Sequence, residues 1–152
     1  MENLSKEELE KKFENFLFNI DDCLNNIIDK AGSQGYNFDY SLDSLIDMEK
    51  YIIENNTTLN DDDYNDLSAY LGEVHRLEYG GKWICNLDEE NNSLSYGFPV
   101  IEGHSSIPNV LFSPFHVVKA FILYKKINLF RDAIKSQVHP KDIDWSQYPN
   151  ED

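Results

Sequence analysis

The chain has 152 residues, of which 41% are hydrophobic and 27% charged, the proportions of one globular domain. Its 28 Asp and Glu against 13 Lys and Arg leave a formal charge of −15, opposite to the basic footprint of a nucleic-acid binder, so direct contact with DNA or RNA is not expected. At this length folding buries roughly 70% of the surface an unfolded chain exposes, and nine Phe, nine Tyr and two Trp supply a core without a metal or disulfide staple.

The first twenty residues mix Lys and Glu with spaced aromatics and lack the apolar segment and cleavage site of a signal peptide, which predicts a cytoplasmic protein. The richest apolar stretch, Phe112 to Phe130, is interrupted by Lys119, Lys125 and Lys126, so no membrane span is expected. Cys23 and Cys85 sit among apolar neighbours and read as reduced, buried thiols.

Ser5 followed by Glu8 forms a capping box that opens a first helix. Leu9, Phe13, Phe16, Leu17, Ile20, Leu24, Ile27 and Ile28 recur at three- and four-residue steps along it, and Gly32 predicts its stop. The opposite face is acidic and solvated. Ser41 and Ser44 offer N-caps for a second helix through Leu45, Ile46, Met48, Tyr51, Ile52 and Ile53, ending near Asn55 and Asn56. Asn60, Asp61, Asp62 and Asp63 place caps and negative charge where the macrodipole of a third helix favours them, from about Tyr64 to Tyr79, with Gly80 and Gly81 ending it.

Short apolar runs at 82–87, 94–101 and 109–112 predict two or three antiparallel strands. Ser113 as cap and Pro114 as first residue then open a long helix to about Val138, apolar nearly all round in its first half and so expected at the centre. The predicted fold is α+β: three N-terminal helices, a small antiparallel sheet and a long central C-terminal helix, in one domain over 1–138. Residues 139–152, with Trp145 and Tyr148, read as a docked strap or a disordered tail.

Residues 1–66 carry 17 acids and 5 bases, whereas residues 114–141 carry 1 acid and 6 bases. The simplest expectation is a basic last helix lying against acidic helices one and two.

The third helix holds the densest cluster of informative residues, Ala69 to Arg76, followed by Gly80, Gly81 and Trp83. A glycine inside a helix costs about 1 kcal/mol relative to alanine, so Gly72 predicts another backbone too close for a methyl group. Glu73 and Arg76, one turn apart, read as an ion pair at the rim of the core; with Tyr70 and Trp83 they could instead line a polar pocket.

Asp39-Tyr40-Ser41 with Ser44-Leu45, then Ala69-Tyr70-Leu71-Gly72-Glu73-Val74, Gly80-Gly81 and Trp83, resembles a family of small uncharacterised bacterial domains. The likeness covers about the middle third of the chain, with weaker support from Phe112-Ser113-Pro114-Phe115. It implies no catalytic residues; some members stand in gene neighbourhoods suggestive of toxin and immunity genes, so an immunity-protein-like role is what the resemblance implies.

Other constellations are weaker. Asp61, Asp63 and Asn65 mimic the first ligands of an EF-hand loop, but Asp66 stands where the turning glycine belongs and Gly72 where the bidentate Glu belongs, so helix capping explains them better. His75 and Glu78 are three apart, while His104, His116 and His139 lie in separate segments without ligand-like spacing, so neither a metal nor a cofactor is expected. Gly103-His104-Ser105-Ser106 reads as a loop, and no nucleophile elbow, P-loop or dinucleotide fingerprint occurs.

With no catalytic signature, net charge is the positive clue. The expectation is an acidic protein-binding module, immunity- or antitoxin-like, that neutralises a basic toxin, such as a nuclease, by covering its cationic cleft with carboxylates. Its surface is expected at the acidic faces of helices one and two and at Asp61, Asp62 and Asp63 with Asp88, Glu89 and Glu90. A phage-encoded mimic of nucleic acid is a variant of the same class. The alternative is a small-molecule or peptide sensor with a pocket around Tyr70, Glu73, Arg76 and Trp83. An enzyme using Glu73 or His75 as acid or base lacks an identifiable nucleophile, and catalysis is not expected.

Overall fold

The computed structural model describes residues 4–90, 93–103 and 110–136. The expected tail at 139–152, the last residues of the expected long helix to Val138, and the 104–106 loop lie outside them.

The first helix, α1 (Lys6–Ser33), opens with the expected capping box: the Ser5 hydroxyl accepts the Glu8 N–H and the Glu8 carboxylate accepts the Ser5 N–H. It runs one residue past Gly32. Leu24, Ile27 and Ala31 are buried, with Phe13, Phe16 and Ile20 packed beside them, whereas Leu17, expected on the apolar stripe, is partly exposed. α2 (Ser44–Glu54) and α3 (Asp62–Tyr79) follow. Asn26 bonds Asp66 and Lys30 bonds Asp63, while Phe16 reaches Trp83 just beyond the other end of α3, so α1 and α3 run antiparallel.

α3 is the central element, packed by α1 and by α4 (Pro114–Tyr124). This accounts for its two-sided burial: Tyr70 and Leu71, on adjacent faces, and Ser68, Ala69 and Gly72 across from them are all inaccessible to solvent. β1 (Lys82–Cys85) and β2 (Pro99–Glu102) form a two-stranded antiparallel sheet with Trp83 opposite Ile101. The expected third strand is one bridge, Ile101 to Phe112, with two bonds of 2.9 Å. The run from Leu94 is not extended at its start either. A 3-10 turn at Ser93–Ser95 and Gly97 at φ +82 bring the chain round before β2 begins. The architecture is mainly helical α+β. Among the described residues no helix is long and apolar enough to cross a membrane.

The expected long C-terminal helix is broken. α4 stops at Tyr124, Lys125 and Asn128 adopt left-handed backbone at φ +52 and +72, and a separate α5 (Leu129–Lys135) begins. The cause is visible in the core. Phe121 and Phe130 are nine residues apart, about half a turn out of phase on a continuous helix, so one of them would face away from the core. The break folds Phe130 back onto Phe121, with ring centroids 4.9 Å apart and both side chains buried.

Glu49 of α2, almost wholly buried, makes the break tolerable: its two carboxylate oxygens accept the Asn128 N–H at 2.9 Å and the Phe130 N–H at 3.3 Å. This bond between α2 and α5 is side chain to backbone, and the charge of Arg131 on α5 acts on the same carboxylate as a smaller contribution, in the sense that composition suggests. Burial holds the Glu49 carboxyl above its ordinary value, against the pull of those two N–H donors.

A raised carboxyl pKa means that the folded state binds this proton more tightly than the unfolded chain, so Glu49 subtracts stability as pH rises through and above 4.5. Glu49→Gln, which keeps an oxygen acceptor, gains on the wild type over that rise, whereas Glu49→Ala strands the buried Phe130 amide and takes the acceptor from that of Asn128, at a cost of about 1–3 kcal/mol. Urea denaturation of the three proteins from pH 4 to 8 checks both statements; an Ala variant as stable as wild type would contradict the assigned role.

Candidate functional site

Gly80 and Gly81, at φ +81 and +99, end α3 and reverse the chain so that β1 returns along the helix it has just left. Trp83 thereby lays its indole against α3. A Cβ at position 72 would overlap the Cζ2 and Cη2 atoms of Trp83 and stand 3.2 Å from Cγ of Pro114. The sequence predicted a backbone at that notch; the structure places a side chain in it. Position 72 takes glycine because the notch leaves no room for a Cβ, not because its backbone is left-handed.

The indole is held at its polar edge as well. Trp83 Nε1–H donates to Glu73 at 2.7 Å, Arg76 donates to both Glu73 oxygens at 2.9 and 3.1 Å, and Arg76 Nε–H donates to the Gly81 carbonyl at 3.1 Å. Phe16 of α1 meets the indole edge-on at 5.0 Å. Glu73, Arg76 and Trp83 therefore form one network, as their proximity in sequence suggested.

Tyr70 belongs to a neighbouring network. Its hydroxyl accepts the Tyr40 N–H at 2.9 Å and lies 2.6 Å from Oγ of Ser44, whose own proton goes to the Ser41 carbonyl at 2.6 Å, so Tyr70 is the donor to Ser44. Tyr40 is held in left-handed backbone, φ +67, unusual for a bulky residue. Its ring stacks on Tyr70 with centroids 5.2 Å apart, and Asp39 accepts from both the N–H and the hydroxyl of Ser41. Burial, then the Glu73 and Asp21 carboxylates, raise the Tyr40 phenol. Burial pushes the Tyr70 phenol up to about 12.

The acidic residues expected to form one binding surface divide into two groups. Asp61 accepts the Thr58 N–H at 2.8 Å, and Asp63 accepts the Tyr51 hydroxyl at 2.7 Å and the Lys30 ammonium at 2.9 Å, while Asp62 is exposed. Two of the three thus serve the fold. Asp88 accepts the Glu90 N–H at 3.1 Å within its own turn, and Glu89 and Glu90 are exposed. The first group sits by Lys30, whereas Cys85 and Gly97, which flank the second, sit by Leu9. At 1.5 Å per residue those two points on α1 are roughly 30 Å apart.

Between them runs the acidic face of α1, which the sequence also names as part of the expected surface. At 100° per residue, Glu7, Glu10, Glu14, Asp21, Asp22 and Asp29 fall within an arc of about 120° on α1 that also holds Lys11, opposite the buried stripe, and all seven are exposed. Phe18 lies near the middle of that arc and is 87% exposed. Its signal in the sequence was its phase, a large aromatic off the apolar stripe and among acids.

His75 is fully buried, stacked on Phe112 at 4.2 Å, while Glu78 is exposed. Among the described residues no group of three or more His, Cys, Asp and Glu could hold a metal. Cys23 and Cys85 are free, half-buried thiols; burial pushes Cys23 up to about 11 and also raises Cys85. Ser113, at the head of α4, makes no side-chain cap bond and lies with Oγ 2.7 Å from Nδ1 of His116. Burial and nearby Lys119 hold that imidazole down at about 4, against a bond to the Leu94 backbone, so it stays neutral at ordinary pH. Comparisons with models of protein families, with curated proteins and with solved structures found no match.

Gly72→Ala gains about 1 kcal/mol of helix propensity but forces the indole out of its notch, and overpacking of this kind costs about 1–3 kcal/mol. The expected outcome is net destabilisation in the wild type and stabilisation in a Trp83→Leu background, a sign change that a double-mutant cycle in urea reads directly. Equal effects in both backgrounds would remove the notch from the account.

Because the folded His116 pKa lies below the unfolded value of 6.5, its contribution to stability is complete above that pH and is lost as pH falls towards 4, on the order of 3 kcal/mol in all. His116→Asn flattens that part of the acid-denaturation profile. A variant profile parallel to the wild type would show that another group carries the loss.

Proposed function

We propose that this chain is an acidic protein-binding module of the immunity or antitoxin kind, which acts in the cytoplasm by covering the cationic substrate cleft of a basic toxin, a nuclease being the natural case. The supporting observation is the outward face of α1: six exposed carboxylates along one side of a 28-residue helix whose other side is anchored in the core. A rigid helix presents such charges at fixed spacing, so little conformational freedom is lost on binding. A field of this sign accelerates encounter with a basic partner and repels nucleic acid and anionic lipid.

The two loops named from sequence suit this role less well than α1 does, since Asp61 and Asp63 are already engaged at home. Glu73, Arg76 and Trp83 bond mainly to one another, which suits a structural clamp better than a ligand pocket. The reading assigns no catalytic residue and requires no cofactor.

The test is capture from lysate of the native host at low and high salt, followed by co-expression. The expected result is a basic protein retained at low salt, released at high salt, toxic when expressed alone and harmless beside this chain. A partner whose retention does not respond to salt, or one whose toxicity persists beside this chain, would overturn the proposal.

A further inference from the structure

Phe18 is the point on the acidic face that solubility does not explain. Carboxylates around a helix keep a protein in solution, but a phenyl ring that is 87% exposed works against that end. The other aromatics of α1, Phe13 and Phe16, pack against the core. On a helix the neighbours of position 18 are three and four residues away: Glu14 and Asn15 towards the N-terminus, Asp21 and Asp22 towards the C-terminus, all exposed. Leu17, at 38% exposure, extends the apolar surface to one side.

We propose that the middle of α1 is a docking surface for a basic protein, with Phe18 as the apolar anchor and Glu14, Asp21 and Asp22 as the charged rim. The proposal rests on the reading of the chain as a binder of a basic partner and adds where that partner sits and what it must present: an apolar socket bordered by Lys or Arg. An aromatic ring that becomes desolvated inside a charged rim is the usual composition of an energetic centre at a protein interface. Charge complementarity selects the occupant. A second copy docked symmetrically through Phe18 would bring the same carboxylates face to face. An anionic membrane meets the same repulsion.

The experiment selects short randomised peptides, displayed on phage, against the immobilised full chain, and then measures the winners by fluorescence polarisation. Expected are peptides with an aromatic or aliphatic residue between Lys or Arg, whose binding weakens with salt. Phe18→Ser should lower their affinity by about tenfold or more, while Phe18→Leu should retain part of it. Replacing Glu14, Asp21 and Asp22 by their amides should weaken binding and flatten its salt dependence. Because Phe18 is outside the core, thermal melting of each variant should match the wild type. Basic peptides that bind Phe18→Ser as tightly as wild type, and lose affinity when Asp88, Glu89 and Glu90 become amides, would overturn the Phe18 site and leave the basic-partner reading standing. Winners without Lys or Arg, or no winners at all, would overturn both.

Discussion

An indole packed into the backbone of a helix is a demanding arrangement, because it fixes two elements to each other without the slack that a pair of flexible side chains allows. Trp83 and Gly72 make that contact here, and the remainder of the central layer follows from it. The missing methyl at Gly72 lets the ring approach α3, Glu73 accepts its N–H, and Arg76 ties the same carboxylate to the Gly81 carbonyl. The strand that carries Trp83 is therefore held along the helix that precedes it, and the sheet is placed where Ile101 can pair with Phe112 and lead the chain into α4. Phe16, edge-on to the indole, and Pro114, beside the notch, bring the first and fourth helices to the same point.

The segments that looked distinctive together in the sequence are brought into two adjoining networks. Asp39 caps Ser41, Ser44 receives the Tyr70 hydroxyl, Tyr70 receives the Tyr40 N–H, and one helical turn further on Glu73 receives Trp83. A strained tyrosine backbone persists where the surroundings over-determine it, and here a hydrogen bond and a stacked ring both hold Tyr40. Each of these bonds also serves the fold, tying the 39–44 segment and β1 to α3.

What could be read from the sequence was what is decided locally. The Ser5 and Glu8 capping box, the double glycine after Tyr79 and the proline heading α4 act within a few residues, and the corresponding helix ends were legible. The break at Lys125 to Asn128 was not. No glycine or proline marks it, and its stabilising partner, Glu49, is far away in the chain and is a residue type that seldom lies in a core. The notch showed the converse limit: the helical glycine announced a close approach, but whether a backbone or an indole approached depended on how β1 folds back. The acidic candidates divided on the same principle. Composition counts Asp63 as free charge, and only three-dimensional proximity to Tyr51 and Lys30 shows it engaged, whereas the bond of Asp61 to the Thr58 N–H is local.

These constraints also separate the two sides of α1. Its inner stripe meets the core and the indole clamp, so its position and orientation are fixed by contacts that do not involve its outer face. The outer face can then hold like charges along one helix, although neighbouring carboxylates repel and each such pair costs a few tenths of a kcal/mol. Most of a helix's stability in a protein comes from tertiary packing of its inner face rather than from local propensity, so a helix anchored in this way can bear that repulsion. The clamp around Gly72 and the carboxylates around Phe18 are in this sense one design, in which rigidity on the inside permits an unfavourable charge pattern outside. An approaching cation would relieve that pattern.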